Sequence, residues 1–587
     1  MHVVATAGHV DHGKSTLVRA LTGQEPDRLA EERRRGLTIE LGYCWTTLPT
    51  PRGDVDVAFV DVPGHERFVP TMLAGVGPVP AVLFVVAADD GWMPQAAEHL
   101  AVLDALDVRH GLLVVTRSDL TDPAPAVREA RSRLAGTSLE GAPAMAVSAR
   151  TGAGMDRLRT ALVALVTALP APDPCADVRL WVDRAFPVAG AGTVVTATLT
   201  AGTVSVGDRL ALDGADEVRV RGVQVLERPV RRATGAARVA LALGGDAPPT
   251  LRRGSVLTAT GAFVWSDEVD VLVDTTGLPA APVLHVGATS EPVLLRALDD
   301  GSARLRLERG LPLRVGDRVL LRDPGSRQVA GARVADPLPP RLSRRGAAAR
   351  RGAELRRDGA QPDLAVELHR RRVVSRSVLR QLGVPVTGAD RLALSSGDWL
   401  LDADRAPDLS NRLASLVEEH DRADPLDPGV PVAAAARALA LPTPGLLEAL
   451  LPASLHLRDG RVRSTASGTL PAELERAVAQ VARDLAGAPF AAPDAARLVE
   501  LGLHPRAVAA AARTGRLLRV GEAVVLLPGA DAEAVRRLQK LPQPFTTSEA
   551  RTALGTSRRV ALPLLGLLDE RRLTRRLPDD RREVVPR

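Results

Sequence analysis

A glycine-rich segment near the start of the chain limits its fold more than any other feature. Residues 8–15 read Gly-His-Val-Asp-His-Gly-Lys-Ser, between the apolar run 3–6 and an amphipathic helical pattern. This order of strand, G-x-x-x-x-G-K-[ST] and helix is typical of a phosphate-binding loop, because the glycines turn backbone N–H groups inward and the helix start favours anions. We therefore predict that nucleotide phosphates contact Gly8, Asp11, His12, Gly13, Lys14, Ser15 and Thr16.

The lysine of this loop stands out against the composition. Of 76 basic residues, only Lys14 and Lys540 are lysines. An arginine-rich composition does not explain a lysine at the one position where a compact ammonium meets the β- and γ-phosphates. We predict that Lys14 is catalytic, by stabilising charge on the phosphates, and that the Ser15 hydroxyl binds Mg²⁺.

Length and composition limit the class of protein. The 587 residues correspond to about four domains at roughly 150 residues each. Hydrophobic residues make up 45% and charged residues 25%, which excludes a largely disordered or collagen-like chain. The net charge of +6 permits RNA as a partner. Two cysteines fit a reducing cytoplasm. We see no signal peptide and only short apolar runs, so we expect no membrane partner.

Two further segments follow in the order that a GTPase needs. Thr38, within Arg-Gly-Leu-Thr-Ile, can offer its hydroxyl to Mg²⁺ and become ordered with the triphosphate. An apolar strand over residues 55–60 runs into Asp61-Val-Pro-Gly64-His65. We predict that Asp61 holds the Mg²⁺ shell and that the Gly64 N–H binds the γ-phosphate.

The next segment concerns the base of the nucleotide. After an apolar strand comes Thr116-Arg117-Ser118-Asp119, in which the Asp119 carboxylate can accept hydrogen bonds from guanine N1–H and N2–H, which adenine does not offer. Thr116 and Arg117 depart from the usual Asn-Lys-x-Asp, and the effect on affinity stays open. We predict that guanine O6 is covered by the backbone of Ser148, Ala149 and Arg150. The ordered set predicts a GTP-binding domain over residues 1–170.

The combination of GHVDHGKST, RGLTIE and DVPGHERF resembles the translational GTPases, the elongation factor Tu class in particular. The resemblance spans roughly residues 1–170. It implies that His65, directly after Gly64, orients the attacking water when the ribosome engages the factor. It also implies that Val10 and Leu37 form a hydrophobic gate that keeps His65 away until then. For His65, a structural place in the loop is the alternative.

The middle of the chain changes to β-type patterns. The Pro-rich segment 169–174 is typical of a linker. Alternating and β-branched runs separated by Gly and Asp-Gly turns then predict one small β-barrel over 176–260 and another over 262–338. Two barrels behind a GTPase domain resemble elongation factor Tu, in which they help to hold aminoacyl-tRNA.

One segment of the first barrel narrows the family. Trp-Val-Asp-Arg-Ala-Phe over 181–186, followed by Gly-Ala-Gly-Thr-Val-Val-Thr, resembles the selenocysteine-specific elongation factors, in which the Asp-Arg pair lies near the aminoacyl pocket. A selenol is more acidic than a hydroxyl, so it is ionised to a selenolate at neutral pH. A nearby arginine would stabilise this selenolate, just as a nearby cation stabilises a thiolate. We predict that Asp183 and Arg184 discriminate selenocysteine, with Arg219 and Arg221 as weaker candidates. A surface salt bridge is the alternative.

The C-terminal third distinguishes this chain from elongation factor Tu. Helical patterns rich in Ala, Leu and Arg are each followed by a short β-like tail, at Leu392–Leu401, Leu455–Ser464, Leu517–Leu527 and Leu573–Val585. We predict four winged helices, over residues 341–402, 405–466, 470–530 and 535–587. The predicted fold class is therefore multidomain, with an α/β phosphate-loop GTPase domain, two β-barrels and C-terminal tandem winged-helix (α+β) modules.

The last module carries an excess of positive charge. Residues 541–587 contain ten arginines and six acidic residues. Arginine at a helix start and on a wing suits an RNA phosphate backbone and a flipped-out base. The module also resembles the terminal winged helix of the selenocysteine factors, which binds an mRNA hairpin. We predict that the hairpin contacts are Thr556, Ser557, Arg558, Arg559, Arg575 and Arg576, with a solvated basic face as the alternative.

The leading interpretation is a cytoplasmic, monomeric translation factor with GTP and Mg²⁺ as ligands. By resemblance, its partners are selenocysteinyl-tRNA, delivered at UGA codons, an mRNA selenocysteine-insertion hairpin and the ribosome. One alternative is another translational GTPase, either a general tRNA carrier or an initiation-factor subunit. A second is a GTPase-switched regulator that binds nucleic acid. A third is a metabolic enzyme on the same scaffold, such as the sulfate-activating GTPase, for which no terminal winged helices are expected.

Overall fold

The computed structural model describes residues 1–26, 38, 40–50, 53–65, 68–77, 79–190, 192–244, 250–275, 277–326, 328–465, 470–521 and 524–586. Two compact units are present. The first comprises Met1–Arg370 with Arg376–Thr387, and the second comprises Arg371–Ser375 with Gly388–Arg587.

An α/β domain begins the first unit. Its strands are β1 (His2–Ala7), β2 (Gly42–Thr50), β3 (Gly53–Asp61), β4 (Ala81–Ala87), β5 (His110–Thr116) and β6 (Ala144–Ala146). The helices described in this domain are α1 (Lys14–Thr22), α2 (Val69–Val76), α3 (Pro94–Ala105), α4 (Ala124–Leu134) and α5 (Met155–Ala168). The strand order is β2-β3-β1-β4-β5-β6, and only β2 and β3 pair antiparallel.

The sheet gathers the predicted motifs at one edge. Strand β4 is buried throughout, as expected for a parallel strand covered on both faces. Strands β1, β3, β4, β5 and β6 run in the same direction, so their carboxyl ends lie side by side. The loops after these ends form the crevice in which open α/β sheets bind ligands.

The first barrel follows the α/β domain. Its strands are β7 (Arg179–Val188), β8 (Gly192–Leu199), β9 (Thr203–Ser205), β10 (Arg209–Leu212), β11 (Asp216–Val225), β12 (Arg228–Val230), β13 (Arg232–Thr234), β14 (Ala237–Gly244) and β15 (Val256–Ala259). The order β10-β15-β7-β8-β14-β11 is closed by pairing of β10 with β11. Burial alternates residue by residue along β14, as the period of a half-buried strand requires.

The second barrel has six strands. They are β16 (Ser266–Val273), β17 (Val283–Val286), β18 (Thr289–Asp299), β19 (Ser302–Leu311), β20 (Arg318–Arg322) and β21 (Val329–Asp336). They close in the order β16-β19-β18-β17-β20-β21.

Three helices follow the second barrel: α6 (Ala347–Asp358), α7 (Leu364–Arg371) and α8 (Arg376–Gln381). The buried Arg351 of α6 donates to Asp270 at 2.8 Å and to Asp336 at 2.5 Å, which fixes α6 to the second barrel. Buried charges of this kind are tolerated only as pairs. As a result, the predicted module of residues 341–402 is divided between the two compact units.

The second unit alternates helices and short antiparallel pairs. Its first part holds β22 (Val373–Ser375), α9 (Ala389–Leu392), β23 (Ala393–Ser396), β24 (Trp399–Asp402), α10 (Ala406–Ala423), β25 (Val430–Pro431), α11 (Val432–Ala438), α12 (Leu446–Leu450), β26 (Leu455–Arg458) and β27 (Arg461–Ser464). Its second part holds α13 (Ala472–Ala486), α14 (Ala495–Glu500), α15 (Pro505–Arg513), β28 (Leu518–Arg519), β29 (Val525–Leu526), α16 (Ala530–Leu538), α17 (Thr547–Leu554), α18 (Arg558–Glu570), β30 (Thr574–Arg576) and β31 (Arg582–Val584).

The four predicted β-like tails are antiparallel strand pairs. One hydrophobic core runs from Leu470 to Leu568, so the segments predicted as the third and fourth modules pack together, with α16 across the predicted boundary between them. The predicted fold class, an α/β domain with two barrels and a C-terminal winged-helix part, is confirmed. In the described part of the chain, no helix combines the length and apolar character needed to cross a membrane.

Candidate functional site

A cleft of about 660 Å³ lies at the carboxyl edge of the sheet. Fourteen of the predicted residues line it, and they come from segments far apart in sequence: Val10, Asp11, Gly13, Lys14, Ser15, Thr16, Thr38, Gly64, Thr116, Arg117, Asp119, Ser148, Ala149 and Arg150. Arg19, Glu25 and Leu120 also line it and carried no recognisable signal in the sequence.

Two glycines are required by close approach around the loop between β1 and α1. Gly8 has φ of 130°, and a Cβ there would collide with the carbonyl oxygen of Val85. A Cβ on Gly64 would lie 2.5 Å from Lys14 Nζ. The Gly64 backbone therefore sits directly against the phosphate loop, where the predicted contact with a γ-phosphate requires it.

Lys14 is held at the first turn of α1. Its Nζ donates hydrogen bonds to the carbonyl oxygens of His9 at 2.7 Å and Gly8 at 3.1 Å, and the residue is 6% exposed. The ammonium is thus placed at the helix start, where the field already favours anions.

Three side-chain oxygens lie close together next to the phosphate loop. Ser15 Oγ donates to Asp61 Oδ2 at 2.6 Å and lies 3.0 Å from Thr38 Oγ1. The other oxygen of Asp61 accepts from Thr6 Oγ1 at 2.7 Å. One carboxylate with two hydroxyls is a hard-oxygen set that suits Mg²⁺, which takes its remaining ligands from phosphate and water. Thr6 was not predicted, although it is a polar residue in an apolar strand.

At the base end, Asp119 is an ionised acceptor. A hydrogen bond from the Ser148 side chain is the main cause that holds the pKa of Asp119 below its usual range. Arg150 contributes through Nε at 2.9 Å and Nη2 at 2.8 Å. Thr116 Oγ1 donates to the carbonyl oxygen of His12 at 2.7 Å, which joins the base loop to the phosphate loop.

Arg117 is held at the rim of the cleft. Its backbone has φ of 54°. Its guanidinium contacts Asp89 at 2.9 Å and Asp90 at 3.3 Å, and it donates to the carbonyl oxygen of Asp11. These partners fix Arg117 in place of the lysine of the usual motif.

Two buried histidines, His12 and His99, lie in or against the phosphate loop. The side chain of His12, predicted to contact nucleotide, is buried and does not line the cleft; burial lowers its pKa to about 4. His99 of α3 accepts a hydrogen bond from the Gly8 N–H at 3.0 Å, and burial lowers its pKa to about 3, so it is neutral at physiological pH. His99 was missed because nothing near it in sequence marks this contact.

His65 is half-buried, and its ring centroid lies 6.0 Å from that of Phe68. It does not line the cleft, whereas Val10 does. Leu37, the other predicted gate residue, lies outside the described residues. The gate and the role of His65 stay predictions.

A second cavity of about 170 Å³ lies between the α/β domain and the first barrel. Arg184 lines it together with Tyr43 and Arg238. The guanidinium carbon lies 3.9 Å from the Tyr43 ring centroid for Arg238 and 5.3 Å for Arg184. Glu227 also lines the cavity, so the two guanidinium groups share it with one carboxylate. Guanidinium groups placed in this way can bind a compact anionic group.

Asp183 faces away from this cavity. The β7–β8 register shifts between Val182 and Arg184, and such a bulge re-aims the side chain within it. The Asp183 carboxylate accepts two hydrogen bonds from Arg238 and one, at 2.7 Å, from Thr196. Burial disfavours the charged form of Arg238, but the ion pair with Asp183 raises the pKa of Arg238 above its ordinary value. Asp183 therefore positions Arg238, a residue that the sequence did not reveal.

Arg219 and Arg221 are not brought to this cavity. They line a separate depression of about 490 Å³ on the same barrel, with Arg209, Glu217 and Gly244. The cause is strand register: Arg219 is opposite Gly244 at the end of β14, whereas Arg184 is opposite Thr196, near the middle of β8. The predicted grouping of these two arginines with Arg184 does not form.

The six residues predicted to bind a hairpin differ in their surroundings. Thr556 Oγ1 donates to the carbonyl oxygen of Phe490 at 2.6 Å, and Arg559 donates to that of Ala492 at 2.6 Å. Arg575 and Arg576 form exposed ion pairs with acidic residues of their own hairpin. Ser557 and Arg558 are exposed at the start of α18.

Known proteins match this chain both at its two ends and over its whole length. The family model "Elongation factor Tu GTP binding domain" matches residues 1–168, and "Elongation factor SelB, winged helix" matches residues 536–582. A selenocysteine-specific elongation factor of Desulfomicrobium baculatum is 32% identical over 99% of each chain. That of Escherichia coli K12 is 41% identical over 58% of this chain and 56% of its own. A crystal structure of a bacterial selenocysteine-specific elongation factor covers 100% of both chains with a TM-score of 0.78 at 24% identity, which shows a shared fold.

Proposed function

The chain belongs to the selenocysteine-specific elongation factors, which are GTP-hydrolysing translation factors, and from this membership we propose how its residues carry out that function. Selenocysteinyl-tRNA, the ribosome and an mRNA hairpin are the proposed partners, with delivery at UGA codons in the cytoplasm. We propose a monomer, which a solution mass measurement would check. Family membership sets aside the general tRNA carrier, the initiation-factor subunit, the nucleic-acid regulator and the metabolic enzyme.

The proposed aminoacyl pocket is the cavity lined by Tyr43, Arg184 and Arg238. The observation that carries this proposal is the presence of two guanidinium groups at a cavity of about 170 Å³, a volume suited to one amino acid side chain. A selenolate is anionic near neutral pH, as low-pKa thiolates are, whereas a serine hydroxyl is neutral. The pocket would therefore favour selenocysteine over serine through charge-assisted hydrogen bonds.

We expect selenocysteinyl-tRNA to bind more tightly than seryl-tRNA in the presence of GTP. Hydrogen bonds to charged groups contribute about 1.5–3 kcal/mol, which corresponds to a preference of roughly 10- to 150-fold. Competitive binding of the two tRNAs to the full chain measures it. Arg184→Leu should reduce the preference, whereas Arg219→Leu, on the same barrel but outside the cavity, should leave it unchanged. Equal affinities for the wild-type chain would exclude the proposed specificity.

We propose that Mg²⁺ is held by Ser15, Thr38 and Asp61. Their mutual distances of 2.6 Å and 3.0 Å support this assignment. When bound, the ion would neutralise phosphate charge. The chain's own part is to bind the phosphates through Lys14 and the loop amides, and to orient guanine through Asp119.

We propose that His65 orients the attacking water once the ribosome is engaged. Phosphoryl transfer depends mainly on positioning and charge stabilisation, so movement of one side chain can control it. The position of His65 directly after Gly64, which packs on Lys14, supports this proposal. Val10 and Leu37 are the proposed gate.

The C-terminal module is the proposed site for the mRNA hairpin. The match of residues 536–582 to a winged-helix family model supports this location. Arg558 and Ser557 lie exposed at the start of α18, where a phosphate would meet a favourable field. Arg575 and Arg576 are in exposed ion pairs, which are weak enough to exchange for phosphate contacts.

Arg558→Ala is expected to weaken hairpin binding by about three- to tenfold, because one phosphate contact is lost. The affinity should fall less steeply with salt, and GTP binding should stay unchanged. Titration of a labelled hairpin at two salt concentrations measures both effects. Arg437→Ala, an exposed arginine on α11, is the matched control. If both variants bind RNA like the wild type, Arg558 is not a contact.

Arg559→Ala should instead lower thermal stability, because its contact with Ala492 is internal.

A further inference from the structure

Gly8, the first glycine of the phosphate loop, forms hydrogen bonds through both of its polar backbone groups. Its N–H donates to His99 Nδ1 at 3.0 Å, and its carbonyl oxygen accepts from Lys14 Nζ at 3.1 Å. Lys14 lines the nucleotide cleft, whereas His99 does not. One peptide unit of the loop thus connects a side chain outside the cleft with the ammonium inside it.

The backbone conformation of Gly8 needs a partner that selects it. Its φ is 130°, and a Cβ at this position would collide with the carbonyl oxygen of Val85. A glycine can take this conformation but also populates many others, so the residue type alone does not fix the direction of the carbonyl group. The hydrogen bond from the Gly8 N–H to His99 selects one of these conformations.

His99 lies on an element that is itself held firmly. Helix α3 packs Leu100 and Leu103 into the hydrophobic core, and His99 is 2% exposed beside them. A polar ring at such a buried position destabilises the fold unless it is hydrogen-bonded. The Gly8 N–H supplies that bond, so α3 and the phosphate loop stabilise each other at this point.

The protonation state of His99 suits the role of an acceptor. Burial is the main cause that lowers the pKa of His99 to about 3, and the positive charge of Lys14 contributes. Because a backbone N–H can only donate, Nδ1 carries no proton and accepts the bond from Gly8. A protonated ring would offer no acceptor to Gly8.

The other end of this connection lies at the proposed phosphate site. The Lys14 ammonium is held by the carbonyl oxygens of His9, at 2.7 Å, and Gly8. His99 fixes the direction of the second carbonyl from outside the loop. A charged group that stabilises phosphate charge is most effective when it is already in place before the nucleotide reacts.

We propose that His99 is a positioning residue for the binding of the nucleotide phosphates. Through Gly8, it fixes the carbonyl group that holds Lys14, so that the ammonium meets the β- and γ-phosphates without rearrangement of the loop. This inference rests on the proposed role of Lys14 and adds the residue that sets it in place.

The test compares three variants of the full chain by titration with a labelled, non-hydrolysable GTP analogue. His99→Leu removes the acceptor and should weaken binding about three- to tenfold, the range for one hydrogen bond. His99→Asn should restore most of the affinity, because its Oδ1 takes the position of the histidine Nδ1, whereas the longer side chain of His99→Gln should not. A purely structural role predicts the opposite order for the two amides, since glutamine is the better helix former. This order decides between the roles even where His99→Leu folds poorly.

His285→Leu is the matched control. His285 is another buried histidine, on β17 of the second barrel, and burial lowers its pKa to about 4, so it is also neutral. Its substitution should leave the affinity for the GTP analogue unchanged. An equal loss of affinity in His285→Leu and His99→Leu would indicate general destabilisation and overturn the proposal.

A double-mutant cycle shows whether His99 acts through Lys14. With Lys14→Ala present, His99→Leu should cause no further loss of affinity, because residues that act through one contact are not additive. Additive losses, or His99→Asn binding no better than His99→Gln, would overturn the positioning role. If Lys14→Ala weakens binding but His99→Leu binds like the wild type, only the positioning role fails. If Lys14→Ala binds normally, the proposed phosphate site itself fails.

Discussion

Lys14→Ala is expected to lower the affinity for GTP by on the order of 100-fold or more. Loss of one partner from a buried, charge-assisted contact costs about 3 kcal/mol or more, and 1.4 kcal/mol corresponds to a tenfold change. Lys14 is 6% exposed, and its ammonium lies against Gly64 and the phosphate loop, so water cannot replace it easily. Fluorescence titration with a labelled guanine nucleotide measures the loss.

Lys540→Ala is the natural control, since it removes the only other lysine of the chain from an exposed position in the second compact unit. Its nucleotide affinity should equal that of the wild type. Lys14→Arg should also bind poorly, because the larger planar group does not fit the space against Gly64. Normal GTP binding by Lys14→Ala, with an unchanged melting temperature, would remove Lys14 from the site.

His65→Ala is expected to slow ribosome-stimulated GTP hydrolysis by on the order of 10² to 10⁴-fold, the usual range for a residue that positions or activates a reactant. Nucleotide affinity should be retained, since His65 does not line the cleft. Single-turnover hydrolysis on programmed ribosomes measures the rate, and the same nucleotide titration measures binding.

Phe68→Leu is the companion variant for His65. The ring centroids of His65 and Phe68 lie 6.0 Å apart. If the role of His65 is purely structural, changing either residue should lower the thermal stability of the protein. If His65 is catalytic, the rate of ribosome-stimulated GTP hydrolysis should fall far more for His65→Ala than for Phe68→Leu. Similar rates for the wild type and His65→Ala would mean that His65 has only a structural role in its loop.

The phosphate end of the site was predictable because its chemistry is local. Gly8, Lys14 and Ser15 lie within eight consecutive residues, and strand, turn and helix signals surround them. Asp61 and Asp119 could be placed for a related reason: Asp61 ends an apolar strand and Asp119 lies three residues after one, and the ends of parallel strands meet at one edge of the sheet. The departure of Thr116 and Arg117 from the usual motif was visible, but their contacts with His12 and Asp89 were not.

The aminoacyl pocket shows where sequence reasoning stops. Asp183 and Arg184 are neighbours in the sequence and were predicted to act together, but a bulge in β7 turns them to different partners. Arg238 is far along the chain, and it reaches the pocket only because β14 pairs with β8 and β8 with β7. Arg219 and Arg221 also lie on a strand of the first barrel, as Arg184 does. The strand register nevertheless places them at a separate depression.

By itself, the sequence determined the order of domains, the nucleotide chemistry and the family resemblance, because these depend on contiguous motifs and on the period of apolar residues. The tertiary structure decided which arginines face a pocket and which are held by internal partners such as Ala492 and Asp183. The physical reason is that a guanidinium group acts through the partners within a few ångströms of it. In a chain with 74 arginines, only strand register and domain contacts select those partners.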